Sequence, residues 1–270
     1  MSLSERPDLA ASFDDFPDSW PEFMFHDPVS AALFDSLVAA NPALNLLALD
    51  PDDPTRPLAR ACGFAFSCAD PTRLADPVAV LDPAGMPAGG DAGVPAGLPP
   101  GGYDDVLLGG ARDLLAGRRG NLAAALEVTV RPDARGSGLS GLMLRSLRAR
   151  VAAAGYPALV VPVRPNRKHE HPEQPLAGYA ARTRADGLPE DPWLRVHVRA
   201  GGRMVGVAPR SMSVVERLAG WRAWTGLPFD RTGEVLVPQG LVPVWCDVER
   251  DLGVYVEPNV WVLHELSTVE

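Results

Sequence analysis

Helices and strands alternate along this chain in a way that predicts an α/β fold. Three observations carry the prediction. A strand runs through a glycine-punctuated turn into an amphipathic helix over 124–155. Two apolar segments within 45–67 are joined by a turn-rich linker. A C-terminal stretch, 240–266, alternates in polarity like paired strands. With 270 residues, 46% of them hydrophobic and 22% charged, the composition is that of a globular protein with a sizeable core. No internal repeat is evident, and one elaborated domain over 1–270 is more economical than two.

Residues 1–20, MSLSERPDLAASFDDFPDSW, are acidic and polar and are expected as an N-terminal tail. They lack the basic start and apolar core of a signal peptide, and no segment reads as a membrane span, so a cytoplasmic location is expected. Asp27 and Pro28 read as the N-cap and first residue of a helix, whose apolar stripe of Leu33, Phe34, Leu37 and Val38 ends before Pro42. Segments 45–49 and 59–67, separated by DPDDPTRP, predict an antiparallel hairpin. Residues 82–102 are almost wholly Gly, Pro and Ala, cannot pack a core, and are expected as an inserted loop. A helix over 104–116 and a strand over 124–130 follow. The helix from Leu139 buries Leu139, Leu142, Met143, Leu147 and Val151 and stops at Gly155, before the strand ALVVPV at 158–163. Residues 167–192 look inserted, with a short helix over 176–185. Beyond them come a helix stopped at Gly201 and Gly202, a strand, a helix over 215–225, and the alternating end. Trp221, Trp224, Trp245 and Trp261 are expected as core anchors.

Net charge is −9, but its distribution is uneven. Residues 1–60 hold eleven acidic side chains against Arg6, Arg56 and Arg60, whereas 131–231 hold seventeen basic against eight acidic. The second half therefore suits a polyanionic ligand, with Arg135, Arg164, Arg167 and Lys168 as candidates to screen it. No basic run with interleaved aromatics supports nucleic-acid binding. Cys62, Cys68 and Cys246 form no CxxC pair and no zinc spacing, and are expected as buried thiols.

The stretch VRPDARGSGLS at 130–140 is the most specific signal. Two glycines let the backbone turn so that amides of the loop and of the first helical turn converge on a phosphate. A P-loop would need GK[ST], and the one lysine is Lys168, far downstream. Gly136, Gly138 and Gly141 spell a dinucleotide fingerprint, with Arg164 placed to meet a 2′-phosphate, but five residues separate the first glycine from the strand. An ordinary strand, turn and helix without ligand is the bland alternative.

A third pattern, V-x-P-x-x-R-G-x-G-L, is matched by Val130, Pro132, Arg135, Gly136, Gly138 and Leu139. It resembles the signature of the GNAT superfamily of N-acetyltransferases, and the resemblance covers roughly residues 121–206. It implies the acyl-CoA N-acyltransferase fold: a mixed central sheet flanked by helices, here with an elaborated C-terminal half. It also implies that the loop holds the pyrophosphate of acetyl-CoA or another acyl-CoA through Arg135, Gly136, Ser137, Gly138, Leu139 and Ser140. The strand after the helix would splay from the strand before it to admit the pantetheine arm, with Asn166 just beyond its end. By the resemblance, Leu126, Val128 and Val130 would line the cofactor, the first two through backbone groups near the thioester. The usual first strand of this fold is not obvious in the sequence.

The chemistry implied is transfer of an acyl group to a primary amine by direct attack on the thioester, with positioning as a large share of catalysis. The amine belongs to a small molecule or a peptide. The superfamily's acid is a tyrosine in Y-x-x-x-G-F, whereas the same spacing here places His197 ahead of Gly201 and Gly202. An imidazole can donate or accept a proton there, and Tyr179 is a second source of a phenol. Glu127 is the strand carboxylate nearest the reacting centre and the first choice for the base, although strand alternation leaves its face open. His169, Glu170 and His171 lie near the acceptor's entry, but H-E-H before a proline is not metal-ligand spacing, so no metal is expected. Glu257 and His264 are weaker acceptor-site candidates. Two other readings stay open: a CoA-binding sensor or partner module without catalysis, and an enzyme that cleaves acyl thioesters on the same fold.

Overall fold

A computed structural model describes residues 1–16, 20–68 and 97–266. The expected Gly/Pro-rich loop lies outside these residues up to position 96. Its last part does pack, since Leu98 is buried and the helix α3 (Gly102–Leu115) begins at Gly102.

Eight strands join one mixed sheet. The hairpin of β1 (Leu46–Leu49) and β2 (Pro57–Phe66) is antiparallel, β3 (Leu122–Val130) runs antiparallel to β2, and β4 (Ala158–Val163) is parallel to β3. The long β8 (Leu252–Glu265) is the spine of the other half. β5 (Arg203–Glu216) pairs along one edge of β8. The other edge holds β4 against residues 260–265 and β7 (Val244–Asp247) against 252–254, and β6 (Gly233–Val235) lies beyond β7. Among the described residues, nothing pairs with 255–259 along that second edge.

Helices cover both faces. On one, α2 (Pro28–Ala40), α3 and α7 (Leu218–Thr225) pack around Leu37, Phe64, Val106, Leu107, Trp221 and Tyr255. On the other, α4 (Leu139–Ala153), α5 (Leu176–Ala180) and α6 (Pro192–Arg199) pack around Met143, Leu147, Val151, Leu159, Tyr179 and Leu194. The expected stripe of α4 is the buried one, though Leu142 at its margin is exposed. Each fully buried Leu or Val contributes about 1.5–3 kcal/mol, so this stripe fixes where α4 begins and hence where the glycine turn sits. Asp27 caps α2 as its sequence suggests, accepting from the amides of Val29 and Ser30.

Four expectations are corrected. Residues 1–13 are not a tail: Leu3, Leu9 and Phe13 are buried, the Leu47 amide donates to Met1, and the Leu3 amide donates to Asn45. This segment, with α1 (Ala10–Asp14), lies along β1 and supplies edge pairing where a first strand was missing. The short helix expected over 176–185 is one turn, 176–180, since Ala181 and its neighbours turn away to form the bridge of Thr183 with Pro189. Residues 215–217 are not helical: β5 runs to Glu216 because Val214 and Val215 pair with Tyr255 and Val254. Trp245 is 51% exposed on β7, whereas Trp221 and Trp261 are fully buried and Trp224 packs at the core's margin.

Candidate active site

β3 and β4 are hydrogen-bonded neighbours at only two positions, Ala123 with Leu159 and Ala124 with Val160. Past that point the strands part. Two features keep them apart. The β2–β3 register shifts between Cys62 and Gly63, which oppose Glu127 and Ala125, so Leu126 is the extra residue of a bulge. On β4, Pro162 falls beyond the last β3 partner, where its missing N–H costs no ladder bond on that side. A cavity of about 730 Å³ opens in the gap, lined by 125–130 of β3 and 161–163 of β4. The bulge also sets the faces: Leu126 and Tyr103 belong to the core on the α3 side, while Ala125, Val128 and Val130 belong to the α4 side. The cavity thus passes through the sheet.

At its α4 end the cavity meets the glycine turn. A single 3-10 turn, Pro132–Ala134, leads into Gly136 at φ +79° and Gly138 at φ +82°. Open space surrounds both, so the left-handed backbone, not crowding, is what calls for glycine. Arg131 holds the approach by donating to the carbonyls of Pro57 and Asp15, and Arg56 pairs with Asp133. Among the described residues no group accepts from the amides of Gly136 to Gly141. Ala134, Arg135, Gly136, Gly138, Leu139 and Ser140 line the cavity there, and exposed Arg135 has no ion-pair partner among the described residues.

The opposite wall is α6. Asp191 caps it through Trp193 and Leu194, and also accepts from the Arg167 amide and the Tyr179 hydroxyl. Trp193, Val196 and His197 line the cavity, with Asn166 and His169 beside them. His197 is fully buried, its Nδ1 lies 3.0 Å from Nε2 of His264, and Trp193 stands edge-on to its ring. Burial, then the neighbouring His264, holds His197 well below the ordinary histidine range. Burial, then the Arg148 charge, pushes His264 down to about 4.

On the α3 side, Glu127 accepts from Arg60 Nε at 2.7 Å and Nη2 at 3.1 Å, and its Oε1 also bonds the Thr129 hydroxyl. Deeper, at the unpaired edge of β8, buried Glu257 accepts from Arg164 at 3.0 Å, the Tyr255 hydroxyl at 2.8 Å and the Asn259 amide at 3.1 Å. Glu127, Arg164, Glu257 and Asn259 all line the cavity, as do Tyr103 and Met212.

No family model matches the sequence. The arginine N-acetyltransferase avaD of Aspergillus versicolor is 38% identical over 187 residues, which are 62% of this chain and 64% of that protein. The chain therefore spans a little under two thirds of its relative's length. The loading GNATL domain of CurA from Lyngbya majuscula superposes with a TM-score of 0.53 at 14% identity, over 97% of this chain and 93% of that one. The chain has the GNAT fold. A second solved structure with the fold, the GNAT-like decarboxylase GphF in complex with isobutyryl-CoA, gives 0.51 at 16% identity, over 97% and 96% of the two chains.

Within this GNAT frame the expected site residues separate into two groups. Leu126, Glu127, Val128, Val130, Arg135, Gly136, Gly138, Leu139, Ser140, Asn166 and His197 line one cavity. Ser137 lies outside the lining, its hydroxyl donating to Ala134 at 2.6 Å. Tyr179 is also outside: buried, with its hydroxyl on Asp191 at 2.9 Å, and with burial followed by that carboxylate raising its pKa. It braces α6 and offers no phenol to the cavity. Lys168 turns inward onto the carbonyls of Leu241 and His171, both at 2.7 Å, where burial pushes it down to about 8. Arg167 is paired with Glu170. Neither cation faces the turn. Tyr103, Arg164, Met212 and Asn259 were not legible as one group, because only the topology of β8 brings them together.

Proposed function

We propose that this chain is a CoA-dependent N-acyltransferase, moving an acetyl or other acyl group from acyl-CoA to the primary amine of arginine or a similar cationic amino acid. The observation that carries the proposal is the row of unpartnered amides at Gly136 to Gly141, aimed at a cavity that continues between split strands. An anion there meets several N–H donors and a helix N-terminus without displacing any protein bond. Arg135 adds a free guanidinium for phosphate. The residues therefore fit CoA: the turn for its diphosphate, the slot between β3 and β4 for its arm, and Asn166 beside that slot.

The acceptor enters from the α3 face. The choice of arginine leans on the 38% identical relative, an arginine N-acetyltransferase. The cavity's own chemistry agrees: Glu127 and Glu257 suit a cation, and Arg164 suits a carboxylate. Glu127 orients the ammonium and takes one proton from it. The neutral nitrogen attacks the thioester carbon, the C–N bond forms as C–S breaks, and a second amine proton ends on the sulfur. Backbone N–H groups of the bulged β3 segment support the carbonyl oxygen as negative charge grows. His197, neutral and buried, donates a hydrogen bond to the departing sulfur and is unchanged after turnover.

The test pairs binding with turnover. Calorimetry should detect CoA and acetyl-CoA, and Gly138→Ala should weaken both by about tenfold or more, since a Cβ strains the left-handed turn by ~1 kcal/mol and displaces the amides from the phosphate. Release of CoA thiol should require an amine, with arginine among the best. Release without amine would make the chain a thioester-cleaving enzyme, binding without release a CoA sensor, and no binding would end the reading altogether.

A further inference from the structure

Three buried polar atoms between α4, α6 and β8 have no hydrogen-bond partner among the described residues: Nε2 of His197, Nδ1 of His264 and Nε of Arg148. They belong to side chains that lie in sequence across the α4 face of the sheet. His264, on β8, meets His197 of α6, and the guanidinium of Arg148, on α4, lies 3.9 Å from where a Cβ of Gly201 would stand, one residue before Gly202. Arg148 is fixed by a hydrogen bond to the carbonyl of Ala200, at the end of α6. Gly202 closes the arrangement, because a Cβ there would stand 2.6 Å from Cε1 of His264.

The 3.0 Å contact between His197 Nδ1 and His264 Nε2 admits two arrangements of protons. Either both neutral rings carry hydrogen on Nε2, and His264 donates, or both carry it on Nδ1, and His197 donates. Arg148 decides between them. A guanidinium has donors and no acceptor, and its charge acts on His264. An imidazole beside it is more stable when its free nitrogen presents a lone pair than when it presents a second N–H. The free nitrogen of His264 is Nδ1, so its proton belongs on Nε2, which then donates to His197 Nδ1. That leaves the His197 proton on Nε2, the nitrogen not engaged by His264, in a side chain that lines the cavity.

We propose that Arg148 and His264 are positioning residues that lock His197 as the Nε2–H tautomer, so that a neutral N–H donor, and not an imidazolium, stands at the reacting sulfur. The lock itself needs only the side chains described; its catalytic use rests on the acyltransferase reading.

Histidine-selective 15N labelling of the full chain, read by long-range 1H–15N correlation, tests the lock without turnover. The chain has five histidines, so single substitutions at His26, His169 and His171 complete the assignment. Expected are two neutral Nε2–H rings for His197 and His264 from pH 5.5 to pH 8. A proton on His197 Nδ1, or a charged ring in that range, would overturn the proposal. In Arg148→Gln, His264 should become a mixture of tautomers and protonate at a higher pH; an unaltered spectrum would count against the lock. Where turnover is present, His264→Leu should lower kcat about tenfold or more with KM for acyl-CoA unchanged, and His264→Gln, whose amide N–H can still donate to Nδ1, should restore most of it. Equal losses would make His264 a packing residue only. Expected spectra with no amine-dependent turnover would instead reject the transferase reading and leave the lock standing.

Discussion

Glu127 shows how much of a residue's role depends on its neighbours. Both of its oxygens are engaged, by Arg60 and Thr129, which fixes how the carboxylate is oriented, and in the proposed reaction it takes the amine's proton. Glu127→Gln should therefore lower kcat/KM by about a hundredfold near pH 7. The defect should shrink as pH rises toward the amine's own pKa, where the acceptor loses its proton unaided; a pH profile with a constant defect would reduce Glu127 to orientation alone. At this scale the sequence was informative where chemistry follows from spacing. The place of both residues at the cavity was legible, His197 from its distance to Gly201 and Gly202 and Glu127 from its position on the strand before the turn. Lys168 was not. It stands in the basic half of the chain, yet its ammonium is spent on the carbonyl of Leu241, 73 positions away, a contact that no local pattern encodes.

Among the elements, α6 is the most exposed to a single change. Its cap, Asp191, satisfies the Trp193, Leu194 and Arg167 amides and the Tyr179 hydroxyl, and so ties the segment before α5, α5 itself and α6 together. Asp191→Ala should cost about 2–4 kcal/mol, because a lost cap is worth roughly 1 kcal/mol and a buried hydroxyl left unpaired adds 1–3. Chemical denaturation would measure it, and Asp191→Asn should recover part of the loss by keeping an acceptor. Element identity was largely readable: the cap at Asp27, the hairpin, the stripe of α4 and the glycine stop of α6 all follow from short-range rules. What could not be read was the edge pairing of residues 1–3 with β1, and the bulge at Leu126. Both depend on which strands meet. The proline of ALVVPV was a usable hint that β4 loses a neighbour along one side.

For the molecule as a whole, the uneven charge of the sequence becomes a local arrangement. Many of the basic residues in 131–231 are paired at home, Arg167 with Glu170, Arg182 with Glu190 and Arg184 with Asp186. Arg135 at the cavity mouth is an exception. The sum of charges pointed to the half that carries the glycine turn, but pairing decides which cations remain for a ligand.

The parted strands have a kinetic corollary. In the proposed reaction, an opening that traverses the sheet gives each reactant its own doorway, so thioester and amine would occupy the protein together and meet mid-way. No cysteine borders that opening among the described residues, so no thiol there is placed to carry the acyl group between two half-reactions. Initial rates measured against one reactant at several fixed levels of the other should give reciprocal lines that intersect. Parallel lines would mean that the first product leaves before the second reactant arrives, and would require a covalent carrier elsewhere on the chain.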